Sequence, residues 1–158
     1  MTSESIVRAD LNAEDSLALI RALNAELSDM YSEPGANHFN LAPEEVTGGR
    51  GAFLVVYQDG APVGCGALRL LNAETAELKR MYVVPAARGT GLGKLLVTAL
   101  ETEARALGVR RLVLETGVRQ AAALALYQAT GFHPIPLFGE YCLSPETSVC
   151  LGKDLPGQ

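Results

Sequence analysis

Three alternating glycines between a strand pattern and a helix pattern constrain this chain more than any other feature of its sequence. The apolar run that ends at Val84 leads into Arg88-Gly89-Thr90-Gly91-Leu92-Gly93-Lys94, and a helical pattern begins at once. Glycine tolerates positive φ and carries no Cβ, so consecutive backbone N–H groups can converge on one anion. The start of the helix adds unpaired donors and the positive end of its dipole. Together with the charges of Arg88 and Lys94, the segment predicts a pyrophosphate-binding loop.

Two familiar phosphate loops do not fit this spacing. A Walker loop requires G-x-x-x-x-G-K-[ST], but position 88 is Arg and Leu95 follows Lys94. A dinucleotide-binding turn requires G-x-G-x-x-G, whereas the glycines here stand at G-x-G-x-G. A tight strand-to-helix turn without a ligand is the structural alternative.

The overall charge makes this loop more informative, because the chain as a whole is acidic. Its 158 residues carry 13 Lys and Arg against 18 Asp and Glu, a net charge of −5. Such a chain is a poor candidate for binding nucleic acid or an anionic membrane through general electrostatics. Any anion that it binds must therefore be held by a local arrangement of donors.

Length, hydrophobicity and cysteine content favour one cytoplasmic domain, residues 1–158, without a bound metal. Apolar residues make up 48% of the chain, and its first ten residues lack the apolar core of a signal peptide. No apolar run approaches the roughly 20 residues of a membrane span. Three cysteines without C-x-x-C spacing and only two histidines argue against a zinc site and indicate reduced thiols.

The hydrophobic pattern predicts antiparallel strands followed by alternating strands and helices. Asp59-Gly60 between two apolar runs is a strong hairpin signal, and Asn12 with Asp15 is placed to cap the first helix. The expected strands cover 5–8, 52–58, 62–71, 75–84, 111–115, 132–137 and 147–151, and the expected helices cover 13–30, 91–107 and 120–130. This order predicts an α/β fold, with an α+β mixed sheet of six to seven strands and helices on both faces.

Two stretches of the sequence resemble the signature segments of the GNAT superfamily of N-acetyltransferases. The run from Arg88 to Gly93 matches the pattern [RQ]-x-x-G-x-[GA], and the run from Ala123 to Phe132 matches A-x-x-L-Y-x-x-x-G-F. Gln120 stands seven residues before Tyr127, where the family often has Asn. The resemblance covers about residues 5–153 and implies a GNAT-like acyl-CoA acyltransferase fold.

The resemblance implies acetyl-CoA as the acyl donor, bound in a split between the fourth and fifth strands, and a primary amine as the acceptor. Backbone groups of Met81-Tyr82-Val83 would bond the pantetheine arm in the manner of an added strand. The amides from Arg88 to Lys94 would hold the pyrophosphate, Gln120 would take the place of the family's Asn, and Tyr127 would reach the thioester sulfur. The family also suggests a homodimer. A non-catalytic acyl-CoA-binding module or sensor is the alternative function.

A direct transfer benefits from a base, because a lysine-like amine with a pKa of about 10.4 is almost entirely protonated near pH 7. Glu77 stands four residues before Met81, where several members of the family carry a basic glutamate. Strand alternation predicts that Glu77 lies on the same side of the sheet as Met81 and Val83. The alternative is a surface glutamate paired with Lys79 or Arg80.

Tyr127 is expected to hydrogen-bond the sulfur rather than to give up its proton. A thiol with a pKa of about 8.5 is a stronger acid than a tyrosine with a pKa of about 10. The alternative is a tyrosine that only packs beside Leu124. A ping-pong route through Cys65, Cys142 or Cys150 is disfavoured, because no His is placed in sequence to activate them, and buried, inert thiols are expected.

Acceptor recognition is expected from loop 31–50 and segment 138–141, which flank the predicted cleft. His38 and Glu140 would read a polar acceptor, or they are solvated loop residues. An acceptor carboxylate would suit three cations, Arg69, Lys79 and Arg80. The alternative is that these side chains form an exposed face of the sheet.

Overall fold

The structure, a computed structural model, describes residues 3–31 and 41–156 and contains one mixed sheet flanked by helices. The strands are β1 (Glu4–Arg8), β2 (Gly51–Gln58), β3 (Ala61–Leu70), β4 (Thr75–Val83), β5 (Arg111–Gly117), β6 (His133–Ile135) and β7 (Ser148–Asp154). The α-helices are α1 (Glu14–Met30), α2 (Leu92–Ala106) and α3 (Ala121–Ala129), and short 3-10 turns span Pro43–Val46, Pro85–Ala87 and Gly139–Leu143. The seven strands lie in the order β1-β2-β3-β4-β5-β7-β6.

The strands β2, β3 and β4 form an antiparallel meander, as the sequence predicted, and β1 pairs antiparallel with β2. The β2–β3 hairpin turns at Asp59 and Gly60, whose φ angles of 51° and 85° are both positive, as a type I′ turn requires. β4 then pairs with β5 in parallel, and β7 pairs antiparallel with both β5 and β6. The predicted mixed sheet of six to seven strands is therefore confirmed.

The helices cover both faces of the sheet, because each face presents its own apolar cluster. On one face α2 packs through the fully buried Leu96 and Leu100 against Leu68, together with α3. On the other face α1 packs through Leu19 and Leu23 against a cluster that includes Phe53 and Val55 of β2. Burial of one such leucine stabilises the fold by about 1.5–3 kcal/mol.

A bulge in β4 changes which side chains share a face. Ala67 of β3 pairs with Lys79, and Cys65 pairs with Tyr82, so β4 uses three residue steps where β3 uses two. Arg80 takes up the extra step with a φ of 58°. Tyr82 therefore joins the α1-face cluster, while Met81 packs into the α2-face cluster.

The bulge corrects the predicted side-chain alternation along β4. Glu77 is the neighbour of Leu78, which lies in the α2-face cluster, so Glu77 points to the α1 face. Met81 and Val83 contact the α2-face cluster instead. The prediction that Glu77 shares a side with Met81 and Val83 was wrong, since it assumed an unbroken alternation.

The parallel pair β4–β5 opens into a split. Pairing runs from Thr75 with Arg111 to Leu78 with Leu114. Beyond these residues β4 continues to Val83 and β5 to Gly117, and both strand ends line one cavity. The split predicted between the fourth and fifth strands is thus present.

The start of α1 differs from its prediction. Ala13 is the N-cap residue and makes no capping hydrogen bond through its side chain, so Asn12 does not cap this helix. Asp15 instead accepts a hydrogen bond of 2.7 Å from the hydroxyl of Tyr57. Among the described residues no helix combines the length and the apolar character needed to cross a membrane.

Candidate active site

A cavity of about 770 Å³ fills the split between β4 and β5. Its walls come from α1, the ends of both strands, the glycine loop, α3, and Tyr141 and Thr147. The volume lies within the roughly 300–1,000 Å³ of small-molecule sites. The split therefore offers room for an extended ligand between the ends of β4 and β5, which do not pair with each other.

The glycine loop forms one end of this cavity. Gly89 and Gly91 have φ angles of 77° and 88°, and Gly91 is the N-cap of α2. A Cβ at either position would meet no atom within 4 Å, so the left-handed backbone rather than crowding requires glycine there. The first amides of α2 have no partners within the helix and are available to an anion.

Gly93 serves a different purpose from the other two glycines. A Cβ on Gly93 would lie 2.9 Å from Cδ2 of Leu126. The residue therefore lets the first turn of α2 pack closely on α3, which carries Tyr127. Leu92 beside it is buried in the α2-face cluster and fixes the start of the helix.

The polar side chains of the loop hold its shape. Arg88 donates from Nε to the carbonyl of Val83 at 2.8 Å and from Nη2 to Glu26 on α1 at 2.8 Å. Thr90 donates to the carbonyl of Ala87 at 2.7 Å and does not line the cavity. Lys94 is exposed and lines the cavity, which leaves its ammonium group accessible to a bound anion.

Gln120 closes the turn between β5 and α3. Its Oε1 accepts hydrogen bonds from the hydroxyl of Thr116 at 2.5 Å and from the amide of Gly117 at 3.2 Å. Gln120 lines the cavity together with both of these residues. Its carbonyl oxygen is already used within the turn, so the role that the resemblance implies for Gln120 stays a prediction.

Tyr127 belongs to α3, lines the cavity and is only 5% exposed. Its ring makes an edge contact with Phe132 at 5.6 Å between centroids. Burial, followed by the charge of Glu115, raises the pKa of the Tyr127 hydroxyl. The hydroxyl therefore stays protonated and can act as a hydrogen-bond donor.

Glu77 is fully buried and does not line the cavity. Its Oε1 accepts hydrogen bonds from Arg69, at 2.9 Å from Nε and 2.8 Å from Nη2. Its Oε2 accepts the hydroxyl of Tyr141 at 2.5 Å. With both oxygens engaged and no access to the cavity, Glu77 is not placed to take a proton from an amine there.

The three cations predicted to bind an acceptor carboxylate differ in whether they reach the cavity. Lys79 and Arg80 line the cavity, and burial lowers the pKa of both side chains. Arg69 does not line it and pairs with Glu45 at 2.6 Å as well as with Glu77. His38 lies outside the described residues.

The segment after β6 places Tyr141 in the cavity wall and Glu140 beside Lys79. Lys79 pairs with Glu140 at 3.5 Å, and its ammonium lies 5.9 Å from the centre of the Tyr141 ring. Burial raises the pKa of Tyr141, and the neighbouring charge of Glu77 raises it further. Tyr141 is thus an uncharged part of the cavity wall, and its hydroxyl is held by Glu77.

Sequence reasoning assigned no role to Glu115, a carboxylate in the wall of the cavity. It lies on β5 and lines the cavity. The hydroxyl of Ser148 on β7 donates to its Oε2 at 2.7 Å. The available signal was its position at the end of an apolar strand, where the split between strands begins.

The cysteines do not form a nucleophilic centre. Cys65 is buried and its pKa is raised to about 12 by burial. Cys150 is also buried, with a pKa raised to about 11 by burial. Cys142 is exposed, contrary to the expectation that all three thiols are buried. Among the described residues no cluster of His, Cys, Asp or Glu is arranged to hold a metal ion.

Comparison with known proteins identifies acetyltransferases as the relatives of this chain. Residues 17–132 match the model of the acetyltransferase (GNAT) family. The chain is 37% identical over 150 residues to an IAA acetyltransferase of Azospirillum brasilense, covering 92% of this chain and 94% of that protein. It is 35% identical over 113 residues to the N-acetyltransferase YjgM of Escherichia coli, covering 70% of this chain and 59% of that protein.

Solved structures agree with the sequence relatives. A Klebsiella pneumoniae protein assigned as an acyl-CoA N-acyltransferase has a TM-score of 0.81 at 33% identity, covering 96% of this chain and 97% of that one. A GNAT family acetyltransferase from Elizabethkingia anophelis, with acetyl-CoA bound, shares the fold at a TM-score of 0.70 and 19% identity, covering 96% of this chain and 98% of that one. The resemblance first drawn from two short motifs is confirmed.

Proposed function

This chain belongs to the GNAT family of acetyltransferases, and we propose that it transfers the acetyl group of acetyl-CoA directly to a primary amine of a small molecule or peptide. The observation that carries the proposal is the cavity in the β4–β5 split, which is lined by both the glycine loop and Tyr127. An acyl-CoA requires two such sites, an anion site for its pyrophosphate and a second site for its thioester.

The donor would be held mainly by backbone groups. The N–H groups of the loop from Gly89 to Lys94 would bind the pyrophosphate, supported by the left-handed glycines at its start. The Met81-Tyr82-Val83 backbone lies on the part of β4 that has no partner in β5 and would bond the pantetheine arm. Arg88 would hold the loop in place through Val83 and Glu26.

Transfer requires stabilisation of two developing negative charges. A backbone N–H of β4 beyond the bulge would face the carbonyl oxygen as it becomes an oxyanion. Tyr127 would donate a hydrogen bond to the sulfur as the C–S bond breaks, because its raised pKa keeps the hydroxyl protonated. These two hydrogen bonds suit a direct transfer, in which the acetyl group is never attached to the chain itself.

Glu77 would position other side chains rather than take a proton. It joins Arg69 on β3 to Tyr141 beside the cavity, with all three contacts at 2.9 Å or less. Replacing it would therefore disturb the acceptor end of the cavity, while the acetyl-CoA end is built from other residues.

Thiol release from acetyl-CoA tests the proposal, measured against a panel of amines, amino acids and short peptides. Turnover with one class of acceptor is expected, with acetyl-CoA binding measured in parallel by calorimetry. Tight acetyl-CoA binding without turnover for any acceptor would favour the binding module or sensor. Absence of acetyl-CoA binding would contradict the proposal altogether.

We also propose a cytoplasmic location and a homodimer. The location is supported by three free cysteines, which suit a reducing compartment. The dimer rests on the family resemblance and is tested by light scattering of the purified chain.

A further inference from the structure

Glu115 occupies the point at which the two central strands part. Leu114 is the last residue of β5 that pairs with β4, so Glu115 is the first residue of β5 within the split. Val113 pairs with Glu77, and alternation therefore turns Glu115 toward the same face as Glu77. Unlike Glu77, Glu115 lines the cavity.

The carboxylate of Glu115 is anchored at one oxygen and open at the other. Ser148 donates to Oε2 at 2.7 Å. Within residues 3–31 and 41–156, Oε1 has no hydrogen-bond partner. A carboxylate held in this way has a fixed direction and one free acceptor, which is the arrangement that a proton acceptor needs.

The other carboxylates near the cavity are committed to cations. Glu77 is held by Arg69 and Tyr141. Glu140 is paired with Lys79, and Glu26, which also lines the cavity, is paired with Arg88. We propose that Glu115 is the catalytic base of the acetyl transfer, an inference that rests on the proposed function. Ser148 orients it from β7.

The surroundings of Glu115 favour such a base. Burial raises the pKa of its carboxyl group, and the nearby charges of Glu77 and Glu140 add to the rise, whereas Ser148 and Lys79 oppose it. A pKa above the usual value of about 4.3 brings the carboxylate nearer to the pH at which it must work. The other titratable groups that interact electrostatically with it are Tyr127 on α3, Tyr141 on the Gly139–Leu143 turn and Cys150 on β7.

The proposed step is balanced within the two substrates. The neutral amine nitrogen attacks the thioester carbon, a C–N bond forms, and one N–H proton passes to Oε1 of Glu115. The C–S bond then breaks, its electron pair stays on the sulfur, and Tyr127 hydrogen-bonds the departing thiolate. The proton on Glu115 finally passes through water to that thiolate, so the products are the amide and free CoA.

Glu115→Gln tests the assignment, with Glu146→Gln as the matched loss of one exposed carboxylate. The amide oxygen can still accept from Ser148, so the local contact is kept. We expect Glu115→Gln to lower kcat by about 10²–10⁴-fold, the usual contribution of a general base. Its affinity for acetyl-CoA in the calorimeter should not change, and Glu146→Gln should behave as wild type in both assays.

The pH profile separates a catalytic role from a structural one. In the wild type, kcat/KM should fall on the acidic side as Glu115 becomes protonated, at a higher pH than an unperturbed glutamate would give. In Glu115→Gln this limb should disappear. Wild-type kcat with an unchanged acidic limb in Glu115→Gln would overturn the inference. Failure of the wild type itself to turn over would instead contradict the proposed function on which the inference rests.

A second variant keeps the test decisive if the Gln form folds poorly. Glu115→Asp retains the charge but withdraws the carboxylate by one methylene. It should keep the acidic limb and show a kcat between those of the wild type and Glu115→Gln. A kcat for Glu115→Asp equal to that of the wild type would show that the reach of the carboxylate does not matter, against the inference.

Discussion

The hydroxyl of Tyr141 donates a hydrogen bond of 2.5 Å to Oε2 of Glu77, across 64 residues of sequence. Tyr141 lines the cavity, whereas Glu77 lies beneath it on β4 and also binds Arg69 of β3. The contact ties the Gly139–Leu143 turn to the middle of the sheet. One wall of the cavity is therefore fixed by a carboxylate that does not reach the cavity itself.

Glu77→Gln should destabilise the chain more than it slows the reaction. Of its two charged partners among the described residues, the variant leaves Arg69 with Glu45, so the loss should not exceed the about 3–5 kcal/mol that breaking a buried ion pair costs. Urea unfolding measures this loss, with the exposed Glu74→Gln as control. The acidic limb of the pH profile should remain in Glu77→Gln, and its disappearance would identify Glu77 as the base instead of Glu115.

Tyr127→Phe should slow the enzyme without abolishing it. The ring keeps its edge contact with Phe132, and only the hydrogen bond to the developing thiolate is lost. A hydrogen bond to a charged group contributes about 1.5–3 kcal/mol, which corresponds to a roughly 10- to 100-fold lower kcat. Steady-state kinetics measures the effect, and an unchanged kcat would reduce Tyr127 to a packing residue.

Glu115→Gln should gain stability as it loses activity. Burial raises the pKa of Glu115 in the folded chain, so the folded state binds this proton more tightly than the unfolded state. The resulting stability is present at acidic pH and is lost as the pH rises through the folded-state pKa. Because Gln carries no charge, the variant should match the wild type near about pH 4 and exceed its stability near about pH 8.

Thermal or urea unfolding at both pH values checks this prediction. A variant that is less stable than the wild type at the higher pH would mean that the charged carboxylate is stabilised in the fold. That result would favour a structural role for Glu115.

Gly91→Val and Gly108→Val form a matched pair. Both glycines have positive φ, 88° and 81°, and neither has an atom within 4 Å of an added Cβ, so the strain is comparable. Only Gly91 lines the cavity. Calorimetry should show loss of acetyl-CoA binding in Gly91→Val and normal binding in Gly108→Val. Equal affinity in both variants would contradict the assignment of the loop.

The architecture was largely predictable because it follows from local patterns. The Asp59-Gly60 turn, the glycines before Leu92 and the change from strand to helix periods are properties of neighbouring residues. They sufficed for the meander, for the start of α2 and for the mixed sheet with helices on both faces.

The fine geometry of the site was less predictable because it depends on contacts between distant segments. Nothing in the residue type of Arg80 signals a bulge with positive φ, so the side-chain pattern after Lys79 could not be read from alternation. The engagement of Glu77 by Tyr141 and the opening of β5 at Glu115 likewise depend on the assembled sheet.

Mass spectrometry of the product formed from carbon-13-labelled acetyl-CoA tests the central claim most directly. With the fastest acceptor of the amine panel, the account predicts one labelled acetyl group on the acceptor nitrogen for each free CoA released. It predicts none on the protein, since the transfer is direct. Release of CoA without a labelled acceptor, or a labelled acetyl group retained on the chain, would contradict the account.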